Sequence, residues 1–506
     1  MIVKGGEWKM KKWVFMLMII PLFLLNVLPV AAAPKENRQW QDESVYLIMI
    51  DRFNNGDSSN DENVEINNSI GYHGGDFQGV IDKLDYIKEM GFTALMLTPI
   101  FDNTDGGYHG YWVNDFYKTD EHFGSIALFK KLVNEAHKRN MKVILEFEIN
   151  HVGPDHAWLR DEAKKDWFRA ELQEKELPMF NQDNEEVKSY LIDAAKWWIK
   201  ETNIDGYQLS LHKGISTSFL NEFLNEVISV KDDFYLLGEA KHANEELMVS
   251  FMENGGDGIT DYSLADELRE VFSESNQSFS PLLAKQVQNE KVYQDTDLIA
   301  TFMDNQYTER FTSKMVEKNE HPGPRWKQAL TFLYTTPGIP FVYYGSEIAL
   351  NGGEEPDNRK QMNFRTDQEI VDYIKKIGSL RQELPSLTRG TMDVLYEKDG
   401  MALYKREYNE ETTIVAINNT TETQTVTLSN EELPIDMELR GMLNNDLVRS
   451  DENQYHITID RDESEIYVLS NKSSINYSYF IALAAVLISF MIFILLILKR
   501  SRRQQQ

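Results

Sequence analysis

The stretch "DGYQLSLHKG", residues 205–214, decides the fold. An apolar run with β-forming residues rises from a turn and ends in polar residues, as a buried parallel strand does. The helical pattern "EEVKSYLIDAAKWWIKETN" (185–203) stands just before it. Seven more runs repeat the arrangement, namely "VYLIMIDRF" (45–53), "ALMLTPI" (94–100), "KVILEFEI" (142–149), "FYLLGEA" (234–240), "GITDYSL" (258–264), "LIATFMD" (298–304) and "PFVYYGSE" (340–347). Amphipathic stretches such as "DFQGVIDKLDYIKEMG" and "SIALFKKLVNEAHKRN" lie between them. Eight strands alternating with helices predict an α/β fold, a (β/α)8 barrel over residues 34–385. The longest excursion follows the third strand, at 152–184, and is expected to form a small inserted subdomain.

From residue 386 to 470 the period changes to two. "MDVLYEKDGMALYKREYNEETTIVAINNTTETQTVTL" and "YHITIDRDESEIYVL" alternate between apolar and polar residues with turns between, which predicts a C-terminal antiparallel β-sandwich. Residues 471–478 form a linker, and "YFIALAAVLISFMIFILLIL" (479–498) is as long as a membrane-spanning helix. The basic tail 499–506 carries Lys499, Arg500, Arg502 and Arg503, so its end is expected in the cytoplasm and the body outside the cell. At the other end, Lys9, Lys11 and Lys12 precede an apolar run closed by "AAAP". Residues 1–33 therefore read as a secretory signal, starting at Met1 or Met10, with an uncleaved anchor as the other reading.

The 506 residues include no cysteine, which excludes disulfides and thiolate chemistry. Net charge is −29, and removing the basic excess of the two termini leaves about −36 on the body. Such a field repels phosphate backbones and disfavours nucleic-acid partners. Neutral substrates and cations are the expected ligands.

In a (β/α)8 barrel the chemistry sits at the carboxyl ends of the strands. Those ends read "DRFNNGD", "GYHGYWVNDFY", "EFEINH", "DGYQLSLHK", "LLGEA", "FMDNQY" and "GIPFVYYGSE". In this order they resemble the α-amylase superfamily, glycoside hydrolase family 13, over nearly the whole body. The resemblance implies retaining cleavage of α-glucosidic bonds by a carboxylate nucleophile, a carboxylic acid and a third carboxylate, two of them ~5–5.5 Å apart. Carried over by position, the acid is Glu239 in "LLGEA". The nucleophile position holds Ser210 and its neighbouring arginine has become Gln208. The third carboxylate has become Tyr307, beside Gln306 in place of histidine and after Asp304. The strand-three aspartate is Glu146, with Asn150 and His151 retained.

A neutral serine is a weak nucleophile without a base, so ordinary hydrolysis is expected to be lost. The same resemblance makes Tyr111 the stacking platform under a sugar, with His109, His151, Lys213 and Asp304 as further substrate contacts. It implies malto-oligosaccharides or other α-glucans as ligands. "NNGDSSND" followed by "GGD" resembles a calcium loop, with Asn55, Asp57, Asn60, Asp61, Gly74 and Asp76 supplying hard oxygens for one Ca²⁺. The family's second calcium site is expected to be absent, because Met179 and Gly214 stand at two of its positions. Two alternatives remain open. One is an active hydrolase or transglycosylase with altered chemistry through Glu239. The other is a structural or partner-binding ectodomain, as in the amylase-like heavy subunits of amino-acid transporters, its protein partner unknown.

Overall fold

The computed structural model describes residues 38–169, 177–212, 214–242, 245–293, 295–434, 436–472 and 477–504. The expected signal and Lys213 lie outside the described residues. Eight parallel strands form one sheet: β1 (Val45–Ile48), β2 (Ala94–Leu97), β3 (Lys142–Phe147), β4 (Gly206–His212), β5 (Tyr235–His242), β6 (Gly258–Ile259), β7 (Ala300–Phe302) and β8 (Ile339–Tyr343). Neighbours in the sheet are neighbours in sequence, with β1 paired to β8. A parallel bridge between Thr260 and Ala300 joins β6 to β7 and closes the barrel.

The amphipathic patterns become the barrel helices, with ends set by local hydrogen bonding. Ser125 caps the helix Ile126–Lys138 through the Leu128 amide. Asn184 caps Glu185–Thr202 through two amides, and Asn203 ends it in the left-handed region. Trp198 on this helix is fully buried and donates its indole N–H to the Phe116 carbonyl at 2.6 Å. After β3 the chain makes two short 3-10 turns, Ala157–Arg160 and Glu162–Trp167, tied back by bridges His151–Met179 and Phe168–Phe180.

Beyond the barrel, a six-stranded antiparallel sheet faces a two-stranded pair, Gln424–Ser429 with Gln454–Ile459. Its central strands Met401–Tyr408 and Glu411–Asn418 are apolar on both faces. Leu403, Ile414 and Ala416 enter the sandwich core, whereas Ala402, Tyr404, Val415 and Ile417 join the barrel core. This sheet is the joint between the two domains. Arg406, fully buried there, donates to the Thr335 carbonyl (2.8 Å) and the Gly390 carbonyl (2.9 Å). The last helix, Tyr477–Gln504, contains a segment, Leu483–Arg502, long and apolar enough to cross a membrane, with its apolar side chains exposed.

Replacing Arg406 by leucine leaves two buried carbonyls without a donor. The expected cost is about 2–4 kcal/mol, read as a lower midpoint in urea unfolding. A variant as stable as the parent would show that the joint does not depend on these bonds.

Candidate active site

The register of β4 on β5 pairs Ser210 with Glu239. Adjacent strands lie about 4.8 Å apart, so a carboxylate at 210 would stand at the spacing that retaining cleavage needs. Serine is too short to bring an oxygen across that gap as a charged nucleophile. Asn150, at the end of β3, donates its amide to the Ser210 carbonyl at 2.7 Å, which fixes the backbone of this position.

Three carboxyl groups gather at the mouth. Glu239 is buried, receives the Lys241 amide at 3.0 Å and accepts the Tyr262 hydroxyl, which itself receives the Asn305 amide at 2.8 Å. Burial raises its pKa above the ordinary value, and these donors offset only part of that. Glu146 is held by three donors, the Tyr111 hydroxyl (2.9 Å), the Tyr307 hydroxyl (2.9 Å) and the Gln306 amide (3.2 Å). Burial nevertheless pushes it up to about 8, with the two phenols working against the shift and the charges of Glu239 and Glu148 adding to it. Glu148 behaves differently. Burial opposes its ionisation, but the His151 ring at 3.6 Å and the backbone amides of Asn150 (2.6 Å) and His151 (3.1 Å) outweigh it and hold the carboxyl below its ordinary value.

Glu148 was not singled out from the sequence, yet the signal was present. In "EFEINH" the glutamates are two residues apart, so both point into the barrel. Glu148 contributes electrostatically to Glu239, so Glu239 has a carboxylate neighbour at the mouth.

The residues expected to contact a sugar divide. Tyr111 stands at the mouth, 9% exposed, with the Tyr307 ring 5.6 Å away, and both phenols end on Glu146. His109 accepts the Tyr111 amide through Nδ1 at 3.1 Å, and burial with the guanidiniums of Arg359 and Arg52 nearby pushes its pKa down to about 3. His151 sits beside Glu148 and faces the His212 ring at 5.4 Å. Asp304 has both oxygens engaged by the scaffold, one by Ser346 Oγ (2.8 Å) and one by the Phe311 amide (3.0 Å). Gln208, Asp304 and Gln306 line a void of about 10 Å³ in the barrel core, barely room for one water.

In the expected calcium loop, Asn55 donates to Asp61 Oδ1 at 2.7 Å, and both side chains stand against Gly74. A Cβ at Gly74, whose φ is +85°, would meet them at 2.6 and 2.9 Å. Asn60 turns its amide to the His122 carbonyl at 2.8 Å and leaves Oδ1 buried without a hydrogen-bond partner. Asp57 caps the Ser59 amide at 3.0 Å. Asp76 instead holds the loop together, since its oxygens accept the amides of Gly56 (3.0 Å), Asp57 (2.8 Å) and Gly79 (2.6 Å).

Comparison with known proteins agrees with this architecture. The family model for the alpha amylase catalytic domain matches residues 47–174 and 155–382, and that for the alpha-amylase C-terminal domain matches 390–467. The chain belongs to the α-amylase family. Within it, the chain is similar to the crystal structure of an Anoxybacillus alpha-amylase, with 52% identity, a TM-score of 0.84, and 87% of this chain and 100% of that one covered. It is also similar to the alpha-amylase from Geobacillus thermoleovorans in complex with acarbose, at 51% identity and a TM-score of 0.82, over 86% of this chain and 100% of that one. A "Beta/alpha-amylase" from Paenibacillus polymyxa is 30% identical over 85% of this chain, which spans 38% of that longer protein.

The Glu146 cluster makes this family member sensitive to pH. An ordinary glutamate titrates near 4.5 in the unfolded chain, whereas the folded one keeps its proton up to about 8. Between those values unfolding releases a proton, so stability falls as pH rises. Glu146→Gln is expected to flatten this fall, by at most about 1.4 kcal/mol per pH unit. Melting curves of both proteins from pH 5 to 9 check it. Parallel curves would mean that Glu146 is ionised throughout.

Proposed function

We propose that this chain is a membrane-anchored member of the family that no longer performs retaining hydrolysis and instead binds malto-oligosaccharides outside the cell. The observation that carries the loss is the Ser210–Glu239 pairing, which puts a hydroxyl where the mechanism needs a carboxylate. The third carboxylate is gone as well, because Tyr307 directs its phenol to Glu146. The binding half is supported by Tyr111 and His109 standing at the mouth, by the acidic body, which suits a neutral ligand, and by the acarbose bound to the Geobacillus relative. A glucosyl unit stacking on Tyr111 has to move the Tyr307 ring aside. Lys213 is assigned to the leaving side of the glucan by resemblance alone. The anchor in this reading is the apolar part of the helix Tyr477–Gln504, and the basic residues in its last turns favour a cytoplasmic end.

We extend the proposal to one Ca²⁺ in the loop formed by Asn55, Asn60, Asp61 and Gly74. The orphaned Asn60 oxygen and the Asp61 carboxylate are the hard donors such an ion takes. Asp76 acts on the loop's own amides, so its removal would unfold the loop with or without metal. The discriminating variant is Asp61→Asn. It should abolish a fall in melting temperature on adding EDTA, while Asp76→Asn lowers the temperature in both conditions. No effect of EDTA on the parent would remove the ion.

One observation favours a second reading. Glu239 is raised and Glu148 lowered, the division of labour between a general acid and a base that activates water. Such a pair would cleave with inversion, without Ser210.

The full-length chain, purified in a detergent without a sugar headgroup, would be incubated at length with malto-oligosaccharides against a Glu239→Gln control. No product above the control is expected. A β-anomeric product dependent on both Glu239 and Glu148 would establish the second reading. Joint restoration by Ser210→Asp, Gln208→Arg, Gln306→His and Tyr307→Asp should raise hydrolysis by roughly two powers of ten above the control. Failure of the restored variant would mean that the tightly filled core around Gln208 no longer accepts the arginine.

A further inference from the structure

The chain has 10 histidines, and its fold brings three of them to the carboxyl ends of three consecutive strands. His151 follows β3, His212 ends β4 and His242 ends β5. The register sets His242 opposite His212, just beyond the pair formed by Ser210 and Glu239. Neighbouring strands lie about 4.8 Å apart, so these three positions share one side of the mouth.

Two of the rings are already close. His151 and His212 meet edge to face, with ring centres 5.4 Å apart and planes at 87°. Two imidazoles that share one ion at about 2.0–2.1 Å have ring centres roughly 5 to 5.5 Å apart, so this separation suits a common ion. Both rings are half-buried, which leaves them within reach of an ion from solvent.

Glu148 supplies what a ligating imidazole usually has behind it. Its Oε1 lies 3.6 Å from His151 Nδ1, and the same oxygen accepts the backbone amides of Asn150 and His151, which fix its position. A carboxylate on Nδ1 favours the tautomer with its proton there and turns Nε2 outward as the donor to a metal. The surrounding charge also suits a cation. Glu148 and Glu239 stand beside the histidines, while Lys241 directs its ammonium to the Tyr307 carbonyl at 3.0 Å. In a chain without cysteine, imidazole is the donor that favours a transition metal over the hard cations taken by carboxylates and carbonyls.

We propose that His151, His212 and His242 form a transition-metal site at the barrel mouth, taking a divalent ion such as Zn²⁺, with Glu148 orienting His151. Three imidazoles leave one position of a tetrahedral ion open, as in catalytic rather than structural zinc sites. The proposal stands on these residues and does not require that the mouth bind sugar.

The test uses the full-length chain, purified without a polyhistidine tag and stripped with EDTA. Zn²⁺ is titrated calorimetrically in excess Ca²⁺, which keeps any oxygen-ligand loop filled. A single saturable Zn²⁺ is expected. His212→Ala and His242→Ala should each weaken it about tenfold or more, and Glu148→Gln should weaken it about tenfold through the orientation of His151. His456→Ala, on an exposed strand position of the C-terminal domain, should bind like the parent. Without metal, His212→Ala should melt like the parent, which separates lost ligation from lost folding. If Glu148→Gln misfolds, the histidine variants decide alone. No saturable Zn²⁺ in the parent would overturn the site, as would histidine variants that bind like it. Binding lost in Asp120→Asn but kept in His212→Ala would place the ion on the Asp120, Glu121 and His122 cluster and overturn it too.

Discussion

Parallel strands in register hold equivalent residues about 4.8 Å apart, and in this barrel that spacing sets Ser210 beside Glu239. The rest of the mouth is consistent with that pairing. An arginine at 208, next to a missing carboxylate, would be a buried cation without its counter-charge, which is far more costly than a neutral amide. Gln208 is 2% exposed and uncharged, so the core below Ser210 closes without such a penalty. A carboxylate at 307 would crowd Glu146 with a like charge, whereas the phenol found there donates to it. These side chains form one electrostatic arrangement around Glu146.

Glu146 shows how the adjustment works. A carboxyl so deeply buried has little water to stabilise its charge, and three donors do not replace that water completely. The group therefore holds its proton near neutral pH and joins Tyr111, Tyr307 and Gln306 in a closed set of hydrogen bonds. Tyr111, the residue expected to stack on a sugar, is thereby tied to Tyr307 through their shared acceptor.

The barrel was legible because each strand is apolar on both faces and each helix carries a stripe, patterns that survive in sequence alone. The placing of Ser210 and Tyr307 at the mouth was legible for another reason: position along a strand fixes position at the barrel mouth. Asp304 shows the limit of that logic. Its place in the motif suggested a sugar contact, whereas the amide of Phe311, seven residues on, and the hydroxyl of Ser346, 42 residues on, engage its two oxygens. Glu148 shows the opposite limit, since its period-two relation to Glu146 pointed inward but its ionisation depends on amides positioned by the turn after β3. Asp76 stood among oxygen donors in sequence, and the fold turned it into the cap that gathers them.

The domain joint could not be read at all, because the segments that meet there lie far apart in the chain, Lys376 and Leu443 for example being 67 residues apart. The central strands of the C-terminal sheet are buried on both faces, and arginines bind them to the barrel. Arg325 ties the helix Pro322–Thr335 to Asn419 and Asp462, and Arg406 ties the sheet to the end of the same helix. The mouth is held by side chains in the same way, with the Tyr111 and Tyr307 hydroxyls both ending on Glu146.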